Sequence, residues 1–244
     1  MKRVLAVLLL AACTQSPAPP AREQTATQTA ERKPTMPQTL NVVAIGDSLA
    51  YGAGDEANGG GIAGRLETEL RAHGVAKAGA VNLGVNGAQT SDLLTRMKQP
   101  RMRDAIANAD AIVLSIGAND LFRAQTSREE ILRNPLAIAE RILGRIQTIV
   151  AQLHEINPRA QILVLGGYNP VPRHESAQLI NQYLVLWDQA LAQQFAQDER
   201  VSVVKMADIV TAQRLSRYDS FHPGAQAYDE AAKRIAGMLL ANAA

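Results

Sequence analysis

Two short polar motifs near opposite ends of the 244-residue chain carry residue types that could hydrolyse an acyl bond. The first, GDS (46–48), follows an apolar run and offers the hydroxyl of Ser48, while the second, DSFHPG (219–224), contains Asp219 and His222. A serine becomes a nucleophile when a histidine takes its proton and a carboxylate orients the imidazole from its far nitrogen. These residues predict acyl transfer with Ser48 as nucleophile, His222 as base and Asp219 as the orienting acid.

Each motif also has a purely structural interpretation. Gly, Asp and Ser are common in strand-to-helix turns, and in DSFHPG Asp219 could simply cap a helix whose first turn begins at Pro223. The other three histidines are weaker candidates for the base. His73 falls at a predicted helix end, His154 lies within a predicted helix, and His174 lies in a loop and ranks second.

Donors for a developing oxyanion are the third requirement of this chemistry. The backbone N–H groups of Ser48 and Gly84 are candidates, because glycine lets the main chain approach a substrate closely. Asn119 adds a side-chain amide, which its neighbour Asp120 cannot supply when ionised. The alternative for GAND (117–120) is an ordinary β-turn.

The elements that must position these residues follow a regular alternation. Nearly continuous apolar runs predict strands buried on both faces, at residues 40–46, 79–85, 111–117, 161–167 and 201–207. Helical spacing of apolar residues occupies the segments between and after them, at 62–73, 91–108, 128–156, 176–197 and 224–242. This order predicts one α/β domain with a five-stranded parallel sheet, at whose carboxyl edge the candidate residues meet.

Composition narrows the range of partners. The net charge is only +2, aromatic residues are 4% of the chain, and no basic run interleaves with aromatics, so we expect no nucleic-acid partner. No cluster of His, Cys and carboxylate residues suggests a metal, and the chemistry above needs no organic cofactor.

The first 38 residues differ from the rest of the chain. A cationic start, Met1-Lys2-Arg3, precedes an apolar run at 4–10 that is far too short to span a membrane, which predicts a targeting segment. Cys13, the single cysteine, follows it. Residues 14–38 contain five of the 11 prolines and no Leu, Ile, Val, Phe, Tyr or Trp, so we expect a disordered tether.

Taken together, four blocks closely resemble those of the SGNH hydrolase superfamily, also called GDSL esterases/lipases. They are GDSL (46–49), NLGVNGAQTSDLL (82–94), GAND and DSFH (219–222), in that order. The resemblance implies a three-layer α/β/α sandwich of flavodoxin-like type and no cofactor. It also implies Ser48, Asp219 and His222 as the triad, with Gly84 and Asn119 joining the Ser48 amide in the oxyanion hole.

A second resemblance concerns LAAC (10–13), which is similar to the lipobox of bacterial lipoproteins. It implies a signal peptide at 1–12 and lipidation of Cys13. Together with the composition and the hydrolase blocks, we expect a lipidated Cys13 and tether at 13–38 and a hydrolase domain at 39–244. The protein would then be exported and lipid-anchored in the cell envelope, at the outer membrane if the host has two membranes. An ordinary signal peptide with an incidental cysteine is the alternative.

The substrate is the least determined feature. We expect a small acyl ester, with lipid-derived esters or thioesters preferred, and an O-acetylesterase acting on envelope polysaccharide as the alternative. A lipoprotein that only binds lipid or glycan is a third hypothesis. Leu121, Phe122 and the loop 168–171 could line an apolar acyl pocket or simply cover the core.

Overall fold

The computed structural model describes residues 37–123 and 135–242. The predicted signal peptide and nearly all of the predicted tether lie outside these residues, so the domain boundaries stay predictions. Within the described residues no helix is long and apolar enough to cross a membrane.

Five strands form a single sheet in which every neighbouring pair is parallel. The spatial order is β2-β1-β3-β4-β5, the flavodoxin-like order expected for this fold class. The strands are β1 (Thr39–Gly46), β2 (Lys77–Gly84), β3 (Ala111–Ser115), β4 (Gln161–Leu165) and β5 (Val201–Val204). The prediction of a five-stranded parallel α/β fold is confirmed.

Eight helices are described around the sheet. They are α1 (Ser48–Tyr51), α2 (Gly61–Ala72), α3 (Thr90–Arg96), α4 (Pro100–Ala107), α5 (Ala118–Arg123), α6 (Pro135–Ile156), α7 (Ala177–Gln194) and α8 (Ala225–Asn242). The single helix predicted at 91–108 is in fact two helices, α3 and α4. Pro100 explains the break, because proline disfavours a helical residue before it and fits the first turn of a new helix.

Apolar side chains on the two faces of the sheet form two cores. Along β1, Val42 and Ala44 contribute to the core beneath α2 and α8, while Val43 and Ile45 contribute to the core beneath α3, α4 and α6. Successive side chains of a strand point to opposite faces, so a strand covered on both sides must be apolar throughout. This burial gives a three-layer α/β/α sandwich and holds the carboxyl ends of the strands at one edge.

Candidate active site

Ser48 lies in a tight turn directly after β1, as the first residue of α1. Asp47 is the N-cap of this short helix, and its Oδ1 accepts hydrogen bonds from the N–H of Leu49 (3.1 Å) and the hydroxyl of Ser115 (2.7 Å). Gly46 has a φ of +122°, and a side chain there would collide with the carbonyl oxygen of Ser115 on β3. The backbone therefore holds Ser48, which is half-buried, at the carboxyl edge of the sheet.

Asp47 itself is a buried carboxyl group beneath this turn. Burial raises its pKa to about 6, against the opposing effect of the hydrogen bonds from Ser115 and Leu49. Its side chain reaches the core rather than the site, so Asp47 supports the Ser48 turn from below.

The raised pKa predicts a pH-dependent contribution of Asp47 to stability. Between the ordinary pKa of 3.8 and the folded pKa of about 6, the unfolded chain binds fewer protons than the folded protein. The free energy of unfolding should therefore decrease as the pH rises from 3.8 to about 6, by about 3 kcal/mol for this group. We expect Asp47→Asn, whose amide oxygen still caps α1, to remove that fall. Denaturant unfolding at pH 4 to 7 measures it, and a difference from wild type that does not change with pH would contradict the burial effect.

Asp219 and His222 form a hydrogen-bonded pair at 2.6 Å between Oδ2 and Nδ1. The other carboxylate oxygen of Asp219 accepts the N–H groups of Phe221 and His222, both at 2.9 Å. Partial burial would raise the pKa of Asp219, but these hydrogen bonds outweigh it and lower the pKa below its usual value. An ionised carboxylate can only accept, so Nδ1 of His222 carries the proton and Nε2 is left able to accept one.

The glycine-rich stretch after α1 brings the two motifs to the same edge of the sheet. The N–H of Ala53 donates to the carbonyl oxygen of Ser48 (3.0 Å), and Gly54 follows at once. A side chain at Gly54 would lie 2.8 Å from Cβ of His222 and 2.7 Å from the carbonyl oxygen of Pro223. Among the described residues, neither the Ser48 hydroxyl nor Nε2 of His222 has a hydrogen-bond partner. Catalytic hydrogen bonds often form only once substrate binds, so both groups are available for chemistry.

Tyr168, in the loop after β4, also lies between the two motifs. Its hydroxyl donates to the carbonyl oxygen of Phe221 at 3.3 Å. Burial, followed by the charges of Asp47 and Asp219, raises the pKa of Tyr168 well above its usual value. Tyr168 therefore remains a neutral donor that ties β4 to the loop of His222.

The structure gives Gly84 a packing role and not the oxyanion-hole role predicted from the sequence. Its N–H donates to Oδ1 of Asn82 (3.0 Å), and a side chain there would lie 2.6 Å from the carbonyl carbon of Ala50 and collide with Tyr51. Gly84 is thus required for α1 to pack on β2, and its N–H is already bonded. The oxyanion role predicted for Gly84 does not fit this geometry.

Gly87 is a donor that the sequence reasoning missed. It has a φ of +74°, and its N–H has no acceptor among the described residues. Asn119 lies beside it, because Nδ2 of Asn119 donates to the carbonyl oxygen of Ala88 (3.0 Å) and keeps one hydrogen free. The available signal was Asn86-Gly87, a pair typical of a left-handed turn.

Asp120 fixes the segment that carries Asn119. Its carboxylate accepts the hydroxyl (2.5 Å) and N–H (2.9 Å) of the buried Thr90, and Arg145 approaches it at 3.2 Å. These bonds join α5 to the start of α3 and to α6. Asp120 therefore has a structural role, and it holds the side chain of Asn119 at the carboxyl edge of the sheet.

The other histidines lie in different settings. His73 caps the end of α2 and contacts Glu69, and His174 accepts the N–H of Ser176 in a local turn. His154 pairs with Asp198 at 2.7 Å beside a cavity of about 620 Å³, near the residues that precede β4 and β5. That second His–Asp pair is at the opposite edge from Ser48, and the described residues that line its cavity include no Ser, Thr or Cys.

A metal site is not indicated by the side chains. Within residues 37–123 and 135–242, no group of three or more His, Cys, Asp or Glu side chains is placed to bind a metal ion.

The flavodoxin-like sheet and the Ser, His–Asp and amide groups at its carboxyl edge define an SGNH hydrolase, a class of serine ester hydrolase. The chain belongs to the GDSL-like Lipase/Acylhydrolase family, whose model matches residues 44–230.

The chain is also similar to individual proteins. The chain is 28% identical to the uncharacterized protein YpmR of Bacillus subtilis (strain 168), covering 94% of this chain and 91% of the relative. The lipase Lip_vut3 from a goat rumen metagenome has a similar structure, with a TM-score of 0.70 at 21% identity, covering 82% of this chain and 97% of the lipase. Axe2, an acetylxylan esterase from Geobacillus stearothermophilus, has a TM-score of 0.58 at 16% identity, covering 84% and 95%.

Proposed function

We propose that the protein is a serine esterase that hydrolyses carboxylic esters or thioesters of lipid-derived acyl groups, tethered to the cell envelope through Cys13. One observation carries the catalytic part of the proposal. The hydrogen-bonded pair of Asp219 and His222 lies on a loop that packs against Gly54, six residues after Ser48.

The reaction proceeds through an acyl-enzyme. Nε2 of His222 takes the proton of Ser48 as Oγ attacks the acyl carbon, and Asp219 stabilises the imidazolium. The tetrahedral intermediate then breaks its bond to the leaving oxygen or sulfur, which receives the proton from His222. Water attacks the acyl-Ser48 ester with His222 again as base, and the acid leaves as the proton returns to Oγ.

Three donors stabilise the oxyanion in this proposal. They are the N–H of Ser48, the N–H of Gly87 in place of Gly84, and the free hydrogen of Asn119 Nδ2. The N–H of Ser48 belongs to the first turn of α1 and has no intrahelical acceptor. Donors of this kind typically contribute about 10²–10³-fold each to kcat.

The preference for lipid-derived acyl groups rests on exposed apolar residues around the site. Apolar side chains that water reaches lie on segments following the strands, and these include Tyr51, Leu121, Val171, Leu179 and Phe221. Of the residues proposed for an acyl pocket, Val171 and Leu121 are exposed in this way, Tyr168 is half-buried, and the side chain of Phe122 lies outside the described part.

Helix α7 extends this apolar surface. Leu179, Tyr183 and Leu186 are 51%, 48% and 56% exposed, and the one charged residue of the helix, Asp188, is buried. A surface helix normally turns charged residues to water, so an uncharged and apolar outer face fits contact with acyl chains.

The envelope tether rests on the sequence of the first 38 residues. A lipidated Cys13 followed by the 25 residues 14–38 would hold the domain near the membrane, since a flexible coil of that length spans roughly 25–30 Å. Lipid-derived substrates would then lie within reach of the site.

An O-acetylesterase is the second candidate. The structural similarity to Axe2, an acetylxylan esterase, is the observation that favours it, although an acetyl group would use little of the apolar surface. A lipoprotein that binds lipid or glycan without catalysis has no need for the Asp219–His222 pair.

A series of p-nitrophenyl esters of increasing acyl length tests the proposal on the full-length protein. We expect kcat/KM to peak at about eight carbons or more, because each buried methylene contributes favourably. The Cys13→Ser variant should show the same profile but move from the membrane to the soluble fraction. A peak at acetyl would favour the O-acetylesterase, no turnover of any ester would favour the binding protein, and unchanged membrane pelleting of Cys13→Ser would reject lipidation.

A further inference from the structure

A short segment after α1, residues 52–56, connects the Ser48 turn to the loop that carries the His–Asp pair. We call residues 52–56 the linking segment and residues 216–225 the histidine loop. At its start, the N–H groups of Gly52 and Ala53 both donate to the carbonyl oxygen of Ser48, at 3.1 and 3.0 Å. The linking segment is therefore fixed to the nucleophile turn by the main chain.

At its end, Glu56 contacts the histidine loop on both sides of His222. Its Oε2 accepts the N–H of Ala225 (3.0 Å), the first residue of α8, and its carbonyl oxygen accepts the hydroxyl of Tyr218 (3.3 Å). A carboxylate at a helix N-terminus satisfies a free N–H and interacts favourably with the helix dipole. Glu56 thus caps α8 from a distant part of the chain. Arg217 lies 3.7 Å from Oε1 but is largely exposed, so it adds little.

The middle of the linking segment fits against His222 without space for a side chain. Any side chain at Gly54 would lie 2.7–2.9 Å from atoms of Pro223, His222 and Ser216. In addition, the hydroxyl of the buried Tyr228 on α8 donates to the carbonyl oxygen of Ala53 (2.8 Å). The spacing between the Ser48 turn and the histidine loop is therefore set through these residues.

Asp55 anchors the linking segment to the helices beneath it. Its Oδ2 accepts the N–H of Gly61 at the start of α2 (2.9 Å), and its Oδ1 pairs with Arg65 (2.6 Å). Arg65 also pairs with Asp229 on α8. Partial burial would raise the pKa of Asp55, but the bonds from Arg65 and Gly61 lower it below its usual value, so the carboxylate stays ionised.

The histidine loop lies outside the sheet, and internal bonds hold it as well as the contacts from the linking segment. The preceding strand, β5, ends at Val204, and the loop's own bonds include those from Ser216 N–H to the His222 carbonyl and from Ser220 N–H to the Ser216 carbonyl, both at 2.8 Å. Ser220 has a φ of +54°, a conformation that costs energy for a residue other than glycine. The loop's own bonds and the contacts from the linking segment therefore hold this conformation together.

We propose that Glu56 is a positioning residue that sets the distance between Ser48 and His222 by capping α8 from the linking segment. The proposal rests on the proposed function, in which Ser48 and His222 react together. A helix cap with no such role would affect only stability, whereas a positioning residue affects kcat, because small displacements of reacting groups are costly.

The test compares Glu56→Ala and Glu56→Gln with a matched control, Glu67→Ala, in the full-length protein. Glu67 is also a carboxylate that accepts a backbone N–H, that of Ala80 (3.2 Å), and pairs with an arginine, Arg71 (2.6 Å), but it serves α2 and β2. Each variant is assayed for kcat and KM on one ester below its melting temperature. Hydrogen exchange of peptides covering 216–225 is measured alongside.

We expect Glu56→Ala to lower kcat about 10- to 100-fold with KM changed less than about twofold, and to speed exchange in the histidine loop. Glu56→Gln, whose amide oxygen still accepts the Ala225 N–H, should recover most of kcat. Glu67→Ala should leave both readouts at wild-type values. Equal kcat in Glu56→Ala and Glu67→Ala would overturn the proposal even if loop exchange were faster in Glu56→Ala, because that result is expected of a cap that contributes to stability alone.

Failure of the proposed function would look different. In that case Ser48→Ala would keep its turnover. Faster exchange of the histidine loop in Glu56→Ala would still support the contact between Glu56 and that loop, and unchanged exchange would overturn it.

Discussion

Replacing Ser48 with alanine is expected to lower kcat for ester hydrolysis by at least about 10⁴-fold, because in the proposed mechanism its hydroxyl forms the acyl-enzyme. The Ser48 hydroxyl makes no hydrogen bond to the described residues, and the cap of α1 comes from Asp47. The fold should therefore lose almost nothing, and the melting temperature should stay near that of wild type. Steady-state kinetics and thermal unfolding of the same preparations measure both effects.

Ser91→Ala is a suitable control for this variant. Ser91 is an exposed serine on α3, so Ser91→Ala makes the same chemical change outside the proposed triad and oxyanion hole. Its kcat should equal that of wild type. Turnover by Ser48→Ala at the level of Ser91→Ala would remove Ser48 from the mechanism.

The second large effect is expected for Asp219→Asn, with kcat lowered about 10³–10⁴-fold. The asparagine is nearly the same size, but its amide can donate to Nδ1 of His222, which then loses its proton to Nε2. The histidine would present a donor to Ser48 instead of a base. Because Asp219 is exposed at the surface, stability should change little compared with activity.

The chain supplies a matched control in its other His–Asp pair. Asp198→Asn makes the same chemical change beside His154, at the opposite edge of the sheet. Its kcat should match wild type, whereas Asp219→Asn should fall far below it. If the two variants had similar kcat, the pair at Asp219 would have no special part in catalysis.

The fold followed from the sequence because the central strands β1, β3 and β4 are buried on both faces, although the edge strand β2, predicted to be buried in the same way, is partly exposed. Short continuous apolar runs such as 40–46 and 111–117 are typical of strands in the interior of a parallel sheet. All five predicted runs form parallel strands. The break between α3 and α4 was marked by Pro100, and attention to the residue before it would have predicted two helices. The helical turn at Ser48 is only four residues long, too short for periodicity to reveal.

The sequence could name candidates for the site where side-chain type decides the chemistry. Ser48, Asp219, His222 and Asn119 each carry a group that few other residues supply, and the structure places them along one edge. Gly84 was a less secure inference, because every non-proline residue has a backbone N–H and only the fold shows which of them are free.

The contact between Glu56 and α8 could not be predicted from the sequence for another reason. The carboxylate and the N–H that it caps are separated by 169 positions, and nothing in either segment marks the pairing. Such links between distant segments become visible only when the helices have been packed.

The most direct test of the account is to trap the acyl-enzyme of the wild-type protein and map it. The protein is mixed with a p-nitrophenyl ester, quenched in acid during turnover, and digested for peptide mass spectrometry. The account predicts one acyl group, on the peptide containing Ser48 and on that residue alone. An acyl group on a different residue, or a burst of p-nitrophenol with no acyl group on the Ser48 peptide, would contradict it.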